Sequence, residues 1–304
     1  MTEAGATDQA ETRAGSDTRR SSLRVILFTN FAPVYQLAQG WAARHGHTLH
    51  LVVTTPGPTA RRSTMYRMVI EAAPPEQDIL ITTRMRRLAS HLAPLSPDLI
   101  VSASFPYRIP AEVTALARLG AYNLHPAALP RYRGPNPPRA IYEGQSMGAT
   151  LHRTEAEFDA GAILYRKEVP LPDDTSPENV MAALGAVASE VWEAGLAAAI
   201  AGAAGEPQNE AEATYAALFS EDETRLDWNR PKAVLQRQAT ALNVFGGHAQ
   251  ARLDGRPVQI DRLDPLPDPR PSGANGDVVA RDSEAATVLV ADGLVRVRAR
   301  AVNE

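Results

Sequence analysis

The sequence predicts an α/β chain: a mostly parallel, Rossmann-like sheet followed by a small C-terminal β-barrel of OB-like type. Three observations predict it. Short apolar runs alternate with helical patterns from Leu23 to His125, the signature of βαβ units and hence of a parallel sheet. From Gly247 onward short strands alternate with Asp254-Gly255, Gly273-Ala-Asn-Gly276 and Asp292-Gly293 turns, as in small barrels. The chain has 304 residues, more than one ordinary domain, so two domains are the default.

Composition narrows the function classes. Hydrophobic residues make up 44% and charged residues 22%, the balance of a soluble globular protein. The formal net charge of −4 gives no reason to expect a strongly basic nucleic-acid surface. Cysteine is absent, which excludes disulfides, thiolate nucleophiles and thiolate metal sites. The histidines, His248 included, lack metal-ligand spacing, and no metal is expected. No uninterrupted apolar run reaches the length of roughly eighteen residues that spans a bilayer, so no membrane partner is expected. The polar stretch over residues 1–22 has no apolar signal region and reads as a disordered leader; a cytoplasmic protein is the simplest expectation.

Taken in order, Leu23 to Phe28 is a buried first strand. Val34 to His45 carries apolar residues at helical spacing and closes at Gly46. Leu49 to Thr54 is the second strand. No Gly-x-Gly-x-x-Gly follows the first strand, which disfavours a dinucleotide site despite the topology. Pro56 to Thr64 is a loop whose Arg61 and Arg62 suit an anion or simply solvent. Ile79 to Thr82 is a third strand, Met85 to Leu95 a helix, and Leu99 to Ser102 a fourth strand. Phe105 to Pro110 lies at its C-terminal end, where open α/β sheets bind ligands. Ala111 to Leu119 is a short helix, and Ala121 to His125 the next strand.

Ala140 to Tyr142 sit in a helix ending at Gly144. Gly148 to Arg153 and Ala162 to Arg166 form an antiparallel pair, with Asp159 on the turn between them. Ser176 and Pro177 open an Ala-rich helix that runs to about Ala204. The expected division is a catalytic domain over 23–205, a linker over 206–230 and the barrel domain over 231–304, with one helix over Pro231 to Asn243. Trp228 suits a packing anchor between the two domains better than a ligand platform.

The chemistry concentrates between Gly120 and Gly161. Asn123 and His125 are two residues apart on a strand, so both face one side. A carboxylate such as Asp159 fixes an imidazole's tautomer, the ring then moves a proton, and an Asn amide donates to an oxyanion. No serine or cysteine nucleophile stands beside them, which favours direct attack by a substrate group on a carbonyl. By spacing alone a structural histidine at a strand end is the commoner case.

Asn123-Leu-His-Pro-Ala-Ala-Leu-Pro-Arg-Tyr-Arg-Gly134 resembles the signature of the folate-dependent formyltransferases: Asn-x-His, then a Leu-Pro-x-aromatic-Arg-Gly loop. Phe158-Asp-Ala-Gly161 resembles that family's Asp-x-Gly element. Ser96 to Val101 and Phe105 to Pro110 are similar to its preceding strand and folate-side loop. Arg225-Leu-Asp-Trp228 and Ala241-Leu-Asn243 are similar to the linker and C-terminal entry of the methionyl-tRNA branch. The resemblance extends over nearly the whole chain from Leu23.

The resemblance implies N10-formyltetrahydrofolate as formyl donor. It implies that Asn123 and His125 polarise the formyl carbonyl while Asp159 orients His125 and assists proton transfer. It places the pterin against Phe105, Tyr107, Ile109, Leu129 and the chain at Phe158. Arg108, Tyr132, Arg133 and His152 are candidates for acceptor contact, with loop or packing roles as the alternative for Arg108 and His152.

The acceptor is the open point. The Pro56 to Ser63 loop holds only two basic residues, Tyr132 replaces the usual tryptophan, and Leu151-His-Arg153 is closer to the sugar-amine branch. These departures favour a small-molecule amine; methionyl-tRNA is the alternative, with Arg256, Arg296, Arg298 and Arg300 left to supply the basic surface. A formyl-folate hydrolase and a non-catalytic folate-binding module are the further readings.

Overall fold

The structure, a computed structural model, describes residues 22–58, 63–244 and 246–302. Arg61 and Arg62, and the leader apart from Ser22, lie outside the described residues.

The first sheet has seven strands in the order β3-β2-β1-β4-β5-β6-β7. Strands β1 (Arg24–Thr29), β2 (Thr48–Thr54), β3 (Ile79–Ile81), β4 (Leu99–Ala103) and β5 (Ala121–His125) run parallel. Strands β6 (Met147–Arg153) and β7 (Ile163–Val169) are antiparallel additions. β1 and β4 are apolar on both faces because both faces are covered. One core packs Leu27 and Val101 beneath the helices α1 (Ala32–His45) and α6 (Pro177–Ile200). The other packs Ile26, Phe28 and Ile100 against Leu88, Leu92 and Val113. Strand order reverses between β1 and β4, and a crevice opens there at the C-terminal strand ends.

Helix α1 ends as expected, at Gly46 in the left-handed conformation. Helix α2 (Met65–Ala72) is short, has no side-chain bond from its N-cap Thr64, and buries only Val69; the Ser63 hydroxyl accepts the Met65 amide at its start. The expected helix Met85–Leu95 is broken. A 3-10 turn, Met85–Arg87, leads into α3 (Leu88–Leu92), and a second 3-10 turn, Ala93–Leu95, contains Pro94, which lacks the amide an α-helix needs there. Helix α4 (Ala111–Thr114) stops short of Leu119, because the amides of Arg118 and Leu119 bond the carbonyls of Pro97 and Asp98 instead.

Helix α5 (Arg139–Glu143) ends at left-handed Gly144. Helix α6 ends at Ile200 rather than Ala204, since the Ala203 amide turns back onto the Ala198 carbonyl. Its Ser176 N-cap makes no side-chain bond; Asp174 accepts the Ser176 amide instead. By length and mean hydropathy of 1.3 this helix is long and apolar enough to cross a membrane, although charged and small residues interrupt its apolar run. Here Val187, Val191, Trp192 and Leu196 lie in the core against the sheet.

The second sheet is an antiparallel half-barrel in the order β10-β11-β12-β9-β8, built from β8 (Gln250–Leu253), β9 (Arg256–Pro265), β10 (Val278–Arg281), β11 (Ala286–Val290) and β12 (Gly293–Ala301). Helix α7 (Lys232–Asn243) fills its concave side with Leu235, Ala239 and Leu242, beside Trp228. The Trp228 indole donates to the Arg252 carbonyl and packs within the half-barrel's own core, so it anchors the linker to the second sheet and is not the anchor between the two domains that the sequence suggested.

The segment between the two sheets is strapped to the first domain at Glu206 and Tyr215 and to β8 of the second sheet at Arg225. Glu206 bridges Ile163, Tyr215 bridges Arg133, and Arg225 bridges Gln250. Arg139 grips it with bonds to the Ala217 and Leu218 carbonyls and to both carboxylate oxygens of Glu223.

Candidate active site

A cavity of about 540 Å³ opens at the strand-order reversal, within the size range of small-molecule sites. Asn30 after β1, Ser102 on β4, and Asn123 and His125 on β5 form its floor. Phe105 to Ile109 form one wall; Gly134, Pro135, His152, the chain from Glu157 to Asp159, and Tyr215 form the other.

Asn123 and His125 point the same way because they alternate along β5. β5 and β6 pair with Asn123 opposite His152, which brings those side chains together. Asp159 enters from the β6–β7 turn with φ of 57°, in the left-handed region. The turn closes only because of Gly161, where a Cβ would stand 1.9 Å from the Arg153 carbonyl oxygen. The Gln208 side-chain amide donates to the carbonyls of Asp159 and Gly161 and holds the turn from outside.

The polar contacts form one network. The Ser102 hydroxyl donates to Asn123 Oδ1 at 2.8 Å. The Asn123 amide group faces His152 Nε2 at 3.2 Å and donates to Asp159 Oδ1 at 3.3 Å. His152 Nδ1 lies 2.8 Å from the Arg153 carbonyl, which only accepts, so in the neutral ring Nε2 carries the lone pair that meets Asn123. The Gly134 amide donates to Asp159 Oδ2 at 2.9 Å. His125 Nε2 lies 2.8 Å from the Tyr132 carbonyl and Nδ1 3.5 Å from Asp159 Oδ2. By the same reasoning Nε2 is the protonated nitrogen of neutral His125, and Nδ1 carries its lone pair on the Asp159 side.

Burial pushes the Asp159 carboxyl up, but the His125 ring, the His152 contact and the Gly134 amide together hold it down at about 2. Burial pushes His125 below its ordinary value, against the opposing pull of Asp159 and the Tyr132 carbonyl. The result is a neutral base beside a fixed negative charge, at the floor of a cavity.

Residues 25–194 match the family described as Formyl transferase. The methionyl-tRNA formyltransferase of Thiobacillus denitrificans is 31% identical over 275 residues, 88% of each chain. That of Burkholderia thailandensis is 33% identical over 299 residues, 91% of this chain and 88% of its own. The chain belongs to the formyl transferase family. It is a folate-dependent formyltransferase, and its formyl donor is N10-formyltetrahydrofolate. Among solved structures, HypX from Aquifex aeolicus in complex with tetrahydrofolic acid is 20% identical with a TM-score of 0.71, over 91% of this chain and 44% of that one. A likely sugar N-formyltransferase from Mycobacterium tuberculosis is 21% identical with a TM-score of 0.59, over 81% of this chain and all of that one. At these identities the two share the fold.

The cavity suits such a donor. Phe105 and Tyr107 pack ring to ring beside buried Ile109, an apolar wall for a flat heterocycle, and the polar floor lies across from it. Of the residues singled out in the sequence, Asn123, His125, Asp159, Phe105, Tyr107, Arg108, Ile109, His152 and Phe158 line the cavity. Leu129, Tyr132 and Arg133 do not. Leu129 is wholly buried, with its amide bonded to Thr150. The Tyr132 hydroxyl donates to Glu143, and only its backbone carbonyl serves the site. The Arg133 guanidinium turns to Gln208 and Glu210 on the strap, because its countercharge is there.

His152 is 2% exposed and braces Asn123, which sequence pattern alone does not disclose. Ser102, Gln208 and Tyr215 were missed as well. A hydroxyl inside the apolar run of β4 was the one signal for Ser102; Gln208 and Tyr215 come from a segment whose composition says only that it is polar. Among the described residues no group of three acidic or histidine side chains is placed to hold a metal ion.

Proposed function

We propose that this formyltransferase acts on the amino group of methionyl-tRNA, and that Asn123, His125 and Asp159 carry the chemistry. Alignment with methionyl-tRNA formyltransferases through both sheets, over about nine-tenths of each chain, carries the acceptor assignment. The preference for a small amine, drawn from sequence departures, gives way to it. Action in the cytoplasm goes with this reading, because charged tRNA is met there.

When bound, N10-formyltetrahydrofolate supplies the formyl group. Asn123 presents its amide protons to the carbonyl oxygen of that group. Their present bonds are long for N–H donors and easily exchanged. His125 Nδ1 takes the proton of the attacking amine, with Nε2 anchored on the Tyr132 carbonyl. The ionised Asp159 stabilises the resulting imidazolium, which would return the proton to the folate N10 as the formyl C–N10 bond breaks and tetrahydrofolate leaves. Phe105, Tyr107, Arg108 and Ile109 hold the donor.

A small amine remains the second reading, favoured by the half-barrel surface. Arg296 pairs with Asp282 at 2.7 Å and Arg300 with Asp261 at 3.4 Å, so phosphate contacts there must displace carboxylates. The deciding experiment measures tetrahydrofolate release with charged initiator tRNA, amino sugars and amino acids as acceptors, followed by mass spectrometry for the added formyl group. Turnover with methionyl-tRNA that weakens steeply with salt supports the first reading. Turnover with one small amine and none with tRNA replaces it with the second.

A further inference from the structure

Two large aromatic rings line the cavity outside the Phe105 to Ile109 loop: Tyr215, which the chemistry above does not use, and Phe158, whose expected place beside the pterin gives way here to the acceptor. Tyr215 is 66% exposed and Phe158 60% exposed, and both line the cavity. Tyr215 lies outside residues 25–194, the part shared with the family at large, and belongs to the strap between the two sheets. Its backbone is pinned on both sides. The Arg133 amide donates to the Thr214 carbonyl at 2.9 Å, the Ala216 amide donates to the Arg133 carbonyl at 2.7 Å, and the Tyr132 amide donates to the Thr214 hydroxyl.

The ring is set against Gly134, whose missing side chain makes room for it: a Cβ there would stand 2.4 Å from the Tyr215 ring. The amide of that same glycine donates to Asp159 Oδ2. An exposed ring on a fixed backbone, set against the glycine whose amide holds Asp159, is a preorganised contact surface. Phe158 directly precedes Asp159 and brings the second ring to the same cavity.

We propose that Tyr215 and Phe158 form the acceptor subsite, and that it takes an apolar substituent on the carbon bearing the acceptor amine. The inference rests on formyl transfer to an amine at this cavity and names the part of the acceptor that is recognised. A methionyl side chain fits the chemistry, since a thioether is polarisable and favours the edges of aromatic rings. The folate-side loop cannot serve this role while it holds the donor.

The test needs no tRNA. Methioninamide and glycinamide are titrated calorimetrically into the full chain saturated with tetrahydrofolate. Methioninamide should bind about tenfold more tightly than glycinamide, the scale of discrimination an apolar side-chain site delivers. Tyr215→Ala and Phe158→Ala should each shrink that ratio, and Tyr215→Phe, which keeps the ring, should preserve it. Equal affinities in the unmodified protein, or an undiminished ratio in Tyr215→Ala, would overturn the inference. Failure of methionyl-tRNA turnover strikes the acceptor assignment alone, because the amide ratio is read without it.

Discussion

The hydroxyl of Ser102 on β4 donates to Oδ1 of Asn123 on β5 at 2.8 Å, and so decides which end of that amide faces the cavity. Without this donor the amide has less reason to keep its nitrogen toward the reacting group. Ser102→Ala should lower kcat roughly fivefold, the equivalent of about 1 kcal/mol for one lost hydrogen bond, with KM for the donor little changed. Steady-state kinetics with Ser102→Thr alongside checks it. An unchanged kcat in Ser102→Ala would show that the amide is oriented by other contacts.

Asp159 is expected to matter through its charge. Asp159→Asn keeps the shape of the side chain but removes the charge that supports protonated His125, and kcat should fall by about a hundredfold or more. The acid limb of the pH profile reports His125. Burial holds that ring below 6.5, so the limb of the unmodified enzyme should lie below that value. Asp159 pulls His125 upward, so in Asp159→Asn the limb of the residual activity should move to still lower pH. A limb that stays in place would remove His125 from the proton-transfer role.

The same two groups set part of the acid stability. Asp159 titrates at about 2 in the folded chain against an ordinary 3.8. A depressed carboxylate stabilises the fold above its unfolded value and loses that contribution as pH falls toward 2, an effect on the order of 2 kcal/mol. His125, also depressed, contributes fully above 6.5 and progressively less below it. Urea denaturation from pH 7 to about pH 2 should show stability falling in two stages, and Asp159→Asn should make the lower one shallower, with Glu223 among the carboxylates that keep the rest.

Gly161 is the hinge on which Asp159 is placed. Gly161→Ala drives a methyl group toward the Arg153 carbonyl oxygen, so the turn must shift. A displacement on the order of 1 Å at the carboxylate costs about a hundredfold in kcat. Far-ultraviolet circular dichroism should stay near that of the unmodified chain while turnover drops. Near-normal turnover would mean that the turn relaxes elsewhere.

Arg139 joins α5 to the strap. It bonds two backbone carbonyls and both oxygens of Glu223, whose carboxyl the guanidinium holds at about 2. Arg139→Ala should cost about 2 kcal/mol in urea denaturation, and Arg139→Lys should recover only part because an ammonium cannot reproduce the fork. A loss confined to a few tenths of a kcal/mol would show that the strap is held by its other contacts.

The two-sheet architecture and the candidate trio of Asn123, His125 and Asp159 were legible in the sequence. Short apolar runs such as Val25 to Phe28 and Leu99 to Val101, alternating with helical patterns, declare parallel strands covered on both faces. The two-residue spacing of Asn123 and His125 declares a shared face, because side chains alternate along a strand. What tertiary structure alone decided lies across sequence gaps. It set Ser102 and His152 against Asn123 from neighbouring strands, turned Arg133 away toward Glu210, and laid Tyr215 on Gly134. Local pattern reports which way a side chain faces its own element. Which residue from another element meets it depends on strand register and on the path of the strap, and neither is written in any short stretch of chain.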